Sequence, residues 1–77
     1  MDQIRPLKLS RYKKVLAALG CEYSRTKGSH LIYRKAGVPR PIVCTTDREV
    51  SIGIQQSNRR TLGLSTEEYL AAVNTLI

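Results

Sequence analysis

The one histidine of the chain, His30, heads the run His30-Leu31-Ile32-Tyr33-Arg34-Lys35 and directly follows Gly28-Ser29. Residue type alone leaves its role open, because a lone histidine is more often structural or merely exposed than catalytic. Its neighbours narrow the choice. Gly-Ser between two extended runs, with Gly at the first loop position, marks a two-residue hairpin turn. In that hairpin Lys27 pairs with His30, Arg25 with Ile32 and Tyr23 with Arg34, so these six share one face. That face gathers Arg25, Lys27, His30 and Arg34, while Leu31 and Tyr33 point the other way and are offered to a core. Cutting RNA requires a base for the 2′-hydroxyl proton and an acid for the leaving 5′-oxygen, and imidazole suits either task. Nearby cations would stabilise charge developing on the phosphate. The candidate site is therefore His30 as acid or base, with Arg25, Lys27 and Arg34 holding phosphate. Gly28 supplies the turn, and the Ser29 hydroxyl could orient the same group.

Other chemistry is weaker. Glu67 and Glu68 are adjacent, hence on diverging helix faces, and helix capping explains them. Asp47 and Glu49 could hold a metal, but two carboxylates in a loop are usually just solvated. Cys21 and Cys44 lack C-x-x-C spacing and histidine partners, so no zinc or other metal site is expected, and each reads as a small reduced core residue. No glycine-rich nucleotide loop is present, and no cofactor is expected. Tyr23 and Tyr33 could stack on bases, although core packing is the commoner use of an aromatic in so small a domain.

Charge points the same way as the histidine. Thirteen Lys and Arg oppose six Asp and Glu, for a net charge of +7. Residues 1–40 hold ten of the basic and two of the acidic side chains, and residues 41–77 hold three and four. A field concentrated in one half suits a polyanion, because each phosphate contact releases counterions. Seventy-seven residues make one domain with a thin core, too small to enclose a large cofactor, so any site lies on an open surface. The N-terminal residues show no apolar leader and no stretch is long enough to cross a bilayer, which makes the cytoplasm the expected compartment.

The elements that must position His30 follow from periodicity. Residues 1–8 read as a loose arm, with Pro6 opposing an early helix. Ser10 is placed to cap a helix over 11–19, where Tyr12, Val15, Leu16 and Leu19 make one apolar stripe and Gly20 the stop. Strands are expected over 21–27, 30–35 and 41–46, the last opening on Pro41. Residues 51–62 read as a helix with a poorly apolar face formed by Ile54, Ser57, Asn58, Thr61 and Leu62. Ser65-Thr66-Glu67-Glu68 fits a capping box, after which Tyr69, Leu70, Val73 and Leu76 form a stripe. The order implies an α+β domain: a small three-stranded antiparallel sheet with helices on one face, arranged α-β-β-β-α like the double-stranded-RNA-binding domain, with an extra C-terminal helix.

Taken together, Gly20, Lys27-Gly28-Ser29-His30, Ile32-Tyr33-Arg34 and Gly63-Leu64-Ser65-Thr66-Glu67-Glu68-Tyr69 resemble the HicA, or YcfA-like, toxin family in order and spacing. The likeness spans about residues 8 to 73. It implies a fold like the double-stranded-RNA-binding domain, metal-independent cleavage of messenger RNA, and neutralisation by a HicB-type antitoxin covering the active histidine. That histidine maps onto His30. Two departures mark this chain. The family's second histidine, in a V-P-x-H context, is absent from Val43-Cys44-Thr45-Thr46. Its G-T-L-[RK]-x-I-L-[RK] helix becomes Gly53-Ile54-Gln55-Gln56-Ser57-Asn58-Arg59-Arg60, with the apolar positions largely lost. Two other readings stay open: a non-catalytic RNA-binding module on the same fold, and an interaction domain whose charge serves an acidic protein.

Overall fold

The computed structural model describes residues 3–75. In chain order the elements are β1 (Leu7–Lys8), α1 (Leu9–Ala18), β2 (Glu22–Lys27), β3 (His30–Arg34), β4 (Ile42–Thr45), β5 (Glu49–Val50), α2 (Ile52–Thr61) and α3 (Thr66–Thr75). Strands β2, β3 and β4 form an antiparallel sheet with β3 in the centre, and β1 pairs antiparallel with β5 in a separate two-stranded sheet. The helices cover one face of the larger sheet. Tyr12, Val15 and Leu16 of α1 and Tyr69 and Val73 of α3 meet Leu31, Tyr33, Ile42 and Cys44 in a single core. This is the expected α+β arrangement, three helices on a three-stranded sheet, with the β1–β5 pair added.

The first helix starts two residues before the expected one, and Ser10 does not cap it. Its N-cap is Lys8, which makes no side-chain capping bond. The orphan N–H of Leu9 instead donates to the Arg48 carbonyl at 2.7 Å. A partner from the β1–β5 pairing thus does the work of a capping hydroxyl. The helix ends as expected: Gly20 has φ +86°, its N–H donates to Ala17 O, and Cys21 N–H donates to Leu16 O. That pair of bonds is the Schellman arrangement. The same pair closes α2 at Gly63 and Leu64, onto Arg60 and Arg59.

The segment expected as a loose arm is anchored over its described part. Ile4 is buried, Leu7 and Lys8 pair with Val50 and Glu49, and the Arg5 carbonyl accepts from the Gln55 side-chain amide. The polar connection at 47–49 accordingly ends in a strand. The third strand of the larger sheet is shorter than expected, Ile42–Thr45.

In α2 the buried residues are Gln55 and Asn58, not an apolar stripe. Gln55 donates from Nε2 to Arg5 O (2.7 Å) and Val50 O (3.1 Å) and accepts the Tyr69 hydroxyl at 2.6 Å. Asn58 donates from Nδ2 to the Tyr12 hydroxyl (2.8 Å) and to Val43 O (3.1 Å). Bonded in this way, buried amides avoid the desolvation penalty of an unpaired polar group. Ser51 caps α2 through its hydroxyl, which accepts from Ile54 N–H at 3.2 Å. The capping box of α3 is formed as expected, Glu68 N–H to Ser65 Oγ at 3.0 Å and Ser65 N–H to Glu68 Oε1 at 2.8 Å. Of the expected stripe, Tyr69 and Val73 are buried and Leu70 half-buried, while Leu76 lies outside the described residues.

Candidate nucleic-acid interface and active histidine

The hairpin turn is built as the Gly-Ser pair requires. Gly28 has φ +61° and Ser29 a negative φ, the sign pattern of a type II′ turn. A Cβ on Gly28 would meet nothing within 4 Å, so glycine is needed there for its backbone conformation and not for space. Lys27 faces His30 across the turn, Thr26 faces Leu31 and Arg25 faces Ile32. Beyond Arg25 the expected register slips. A bulge between Tyr23 and Arg25 leaves Ser24 as the extra residue, so Tyr23 pairs with Tyr33 and Glu22 with Arg34. The expected Tyr23–Arg34 pair does not form. Tyr23 therefore joins the Tyr33 face, with the rings edge to face at 5.7 Å and its hydroxyl 2.6 Å from Thr26 Oγ1. The bulge is what gives Tyr23 an aromatic partner.

The helix-free face of the sheet carries Arg25, Lys27, His30 and Arg34, as the alternation predicts, together with Ile32, Val43 and Thr45. All of β2 is exposed, as are His30 and Arg34. Among the described residues nothing hydrogen-bonds the His30 ring. Lys27 sits beside it and Arg25 one pair along. Arg34 is on the same face but four residues from His30, roughly 13 Å along the strand, and it faces Glu22. The structure thus brings Lys27, Gly28, Ser29 and Arg25 to the histidine and holds Arg34 away from it.

On its other side His30 faces Thr45. Thr46 N–H donates to the Ser29 carbonyl at 3.0 Å, one step further along the same ladder. A hydrogen-bonded pair at 29 and 46 makes 30 and 45 a non-hydrogen-bonded pair, the kind whose side chains approach closest. The Thr45 hydroxyl gives its proton to Asp47 Oδ2 at 2.9 Å, which leaves its oxygen lone pairs as the group presented to neighbours. Thr45 did not stand out in the sequence, and Asp47 was read there as a solvated loop carboxylate. The only available signal was their place in the third strand and the loop after it, where the family's second histidine would stand.

The thiols take no part in this face. Cys21 and Cys44 are buried and free, and burial raises both thiol pKa values, so they stay protonated at neutral pH. Burial likewise raises Tyr33, and it raises Tyr12 to about 12 against the bond from Asn58. Among the described residues no three His, Cys, Asp or Glu side chains group as ligands for a metal ion.

A small α+β domain of the double-stranded-RNA-binding type, its bare sheet face cationic around one free imidazole, is the class that fold and site define. A family model described as "HicA toxin of bacterial toxin-antitoxin" matches residues 10–64 of the 77. The chain belongs to the HicA toxin family. The match runs from the first turn of α1 through the hairpin and α2 to the residue before the capping box of α3. Membership makes the chain the toxin half of a toxin–antitoxin pair, with an antitoxin as its partner. No curated protein and no solved structure matches it. Among the described residues no helix is long and apolar enough to cross a membrane.

Proposed function

We propose that this toxin is a metal-independent endoribonuclease of messenger RNA, acting in the cytoplasm, with His30 as its catalytic acid or base. The observation that carries the reading is the position of His30: without a hydrogen-bond partner among the described residues, on an open face, beside Lys27 and Thr45 at a tight turn. In the reaction the 2′-oxygen attacks phosphorus, the phosphorus–5′-oxygen bond breaks, and a 2′,3′-cyclic phosphate and a 5′-hydroxyl remain. As base, His30 removes the 2′-hydroxyl proton, and solvent protonates the leaving 5′-oxygen; as acid, it exchanges these roles with solvent. Lys27 and Arg25 hold the phosphate and offset its growing charge. Gly28 and Ser29 fix the turn, and the Ser29 hydroxyl can donate to a phosphate oxygen. Arg34 contacts the strand further along. Thr45 is a positioning residue, its acceptor lone pairs set by the bond to Asp47 and available to a ring N–H of His30.

The antitoxin, by this reading, is of the HicB type and neutralises the toxin by covering His30. Family membership supports this, and so does the exposure of the cationic face. Purified protein should cut single-stranded RNA in the presence of a chelator and leave the matching DNA intact, since DNA lacks the 2′-hydroxyl. His30→Ala should end the cutting without changing the unfolding temperature. Cutting by that variant at the normal rate removes His30 from the mechanism, and salt-sensitive binding with no cutting by the wild type makes the domain a binding module instead.

A further inference from the structure

The end of the sheet that holds His30 is stitched to the start of α1 by three backbone contacts in series. His30 faces Thr45, Thr46 N–H donates to Ser29 O, and Leu9 N–H donates to Arg48 O. Between α1 and the β4–β5 connection lies an open groove that starts at Thr46 and is lined by Lys8, Lys13, Lys14 and Arg48. It also contains Asp47 and Glu49. Asp47 accepts the Thr45 hydroxyl and Glu49 stands opposite Lys8 in the β1–β5 register, so the four cations of the groove outnumber its two carboxylates. Lys13, Lys14 and Arg48 are exposed, and among the described residues no carboxylate pairs with them.

We infer that this groove is a second phosphate-binding track, holding the backbone of the same RNA strand beyond the nucleotide at His30. The inference rests on the reading of the His30 face as an RNA site, and extends it around the end of the sheet onto α1. The groove begins at Thr46, one residue beyond Thr45, and its cations add to Arg25 and Lys27 of the sheet, whereas Arg34 lies at the opposite end of the sheet, facing Glu22. Flexible lysines suit a backbone that is bound by charge, without a fixed fork geometry. The track gives affinity and register but reads no base.

The test uses the Lys13→Gln, Lys14→Gln, Arg48→Gln triple variant of the full chain, checked for an unchanged thermal transition. Binding is measured with His30→Ala present, on single-stranded RNA of about 12 nucleotides and of about 4, a range typical of single-strand sites. Loss of three phosphate contacts should reduce the slope of log affinity against log salt by about 2 on the longer RNA. The short RNA, filling the sheet face alone, should bind the variant and the parent alike. An unchanged slope on the long RNA overturns the inference, as does an equal loss on both lengths, which would mark a diffuse field. An unchanged RNA slope with lost antitoxin binding assigns the groove to the protein partner and also overturns it. The two readings fail separately: wild-type protein that binds long RNA through the groove but never cuts defeats the nuclease proposal alone, and cutting with an unaltered slope defeats the groove alone.

Discussion

Two polar regions of this molecule use similar side chains to opposite ends. Inside, Gln55 and Asn58 sit at buried positions of α2 with their amides bonded to Arg5 O, Val50 O, Val43 O and the hydroxyls of Tyr12 and Tyr69. On the bare face, Lys27, Arg25 and His30 are exposed, with no acceptor or donor for the imidazole among the described residues. The first set fixes helix α2 between the N-terminal segment, β4 and α3. The second is the set that the proposed function assigns to RNA. Polar residues whose partners lie within the chain specify the fold, and the proposed function of His30 rests on side chains that the fold does not use.

The sharpest way to break that contrast is to exchange the consequences. His30→Ala should lower RNA cleavage by roughly 100- to 10,000-fold, the usual range for a general acid or base, with no change in thermal stability. A fall in melting temperature with the activity loss would move His30 to the structural set. Gln55→Ala should do the reverse, destabilising the fold by about 3 kcal/mol, because it strands two carbonyls and the Tyr69 hydroxyl as well as leaving a cavity. Urea unfolding measures it, and a loss under about 1 kcal/mol would mean water replaces the amide.

The buried phenols sharpen the same point through pH. Burial raises Tyr12 from 10.0 to about 12 and pushes Tyr69 up as well, so the folded state favours the neutral phenol more than the unfolded state does. Their contribution to stability is complete below pH 10 and is lost as pH rises through the folded values. Phenolate absorbance from these two should therefore appear together with the loss of far-ultraviolet ellipticity, and phenolate formed in a still-folded chain would contradict the burial. The smallest effect expected is that of Ser65→Ala, which removes one cap of α3 and should cost about 1 kcal/mol in urea unfolding. It should leave RNA cleavage alone, since α3 lies on the far side of the sheet from His30.

Much of this was legible in the residues. The Gly28-Ser29 turn, the pairing of Lys27 with His30, the Leu31 and Tyr33 core face, the Gly20 stop and the Ser65–Glu68 capping box all form as read. Each depends on side chains or backbone preferences within a few positions of one another. The misreadings share the opposite cause. Ser10 looked like a cap because nothing local announces that Arg48 O will take the Leu9 N–H. Tyr23 was set opposite Arg34 because a bulge at Ser24 has no marker such as glycine. The expected face of α2 rightly held Ile54, Asn58 and Leu62 but missed Gln55, which looks like a surface residue until its partners at positions 5, 50 and 69 are known. Here the structure accounts for the loss of the family's apolar pattern, with amide hydrogen bonds taking the place of apolar contacts.

The sequence by itself determined the hairpin, the charge of its face and the residue poised at its turn, because turn geometry and strand alternation act over a few residues. Only the tertiary structure decided that Thr45, its hydroxyl bonded to Asp47, faces the histidine, that Arg34 stands away from it, and that residues 3–8 are held down. Those outcomes depend on hydrogen bonds between segments tens of residues apart, and such bonds form only once the chain has closed around its core.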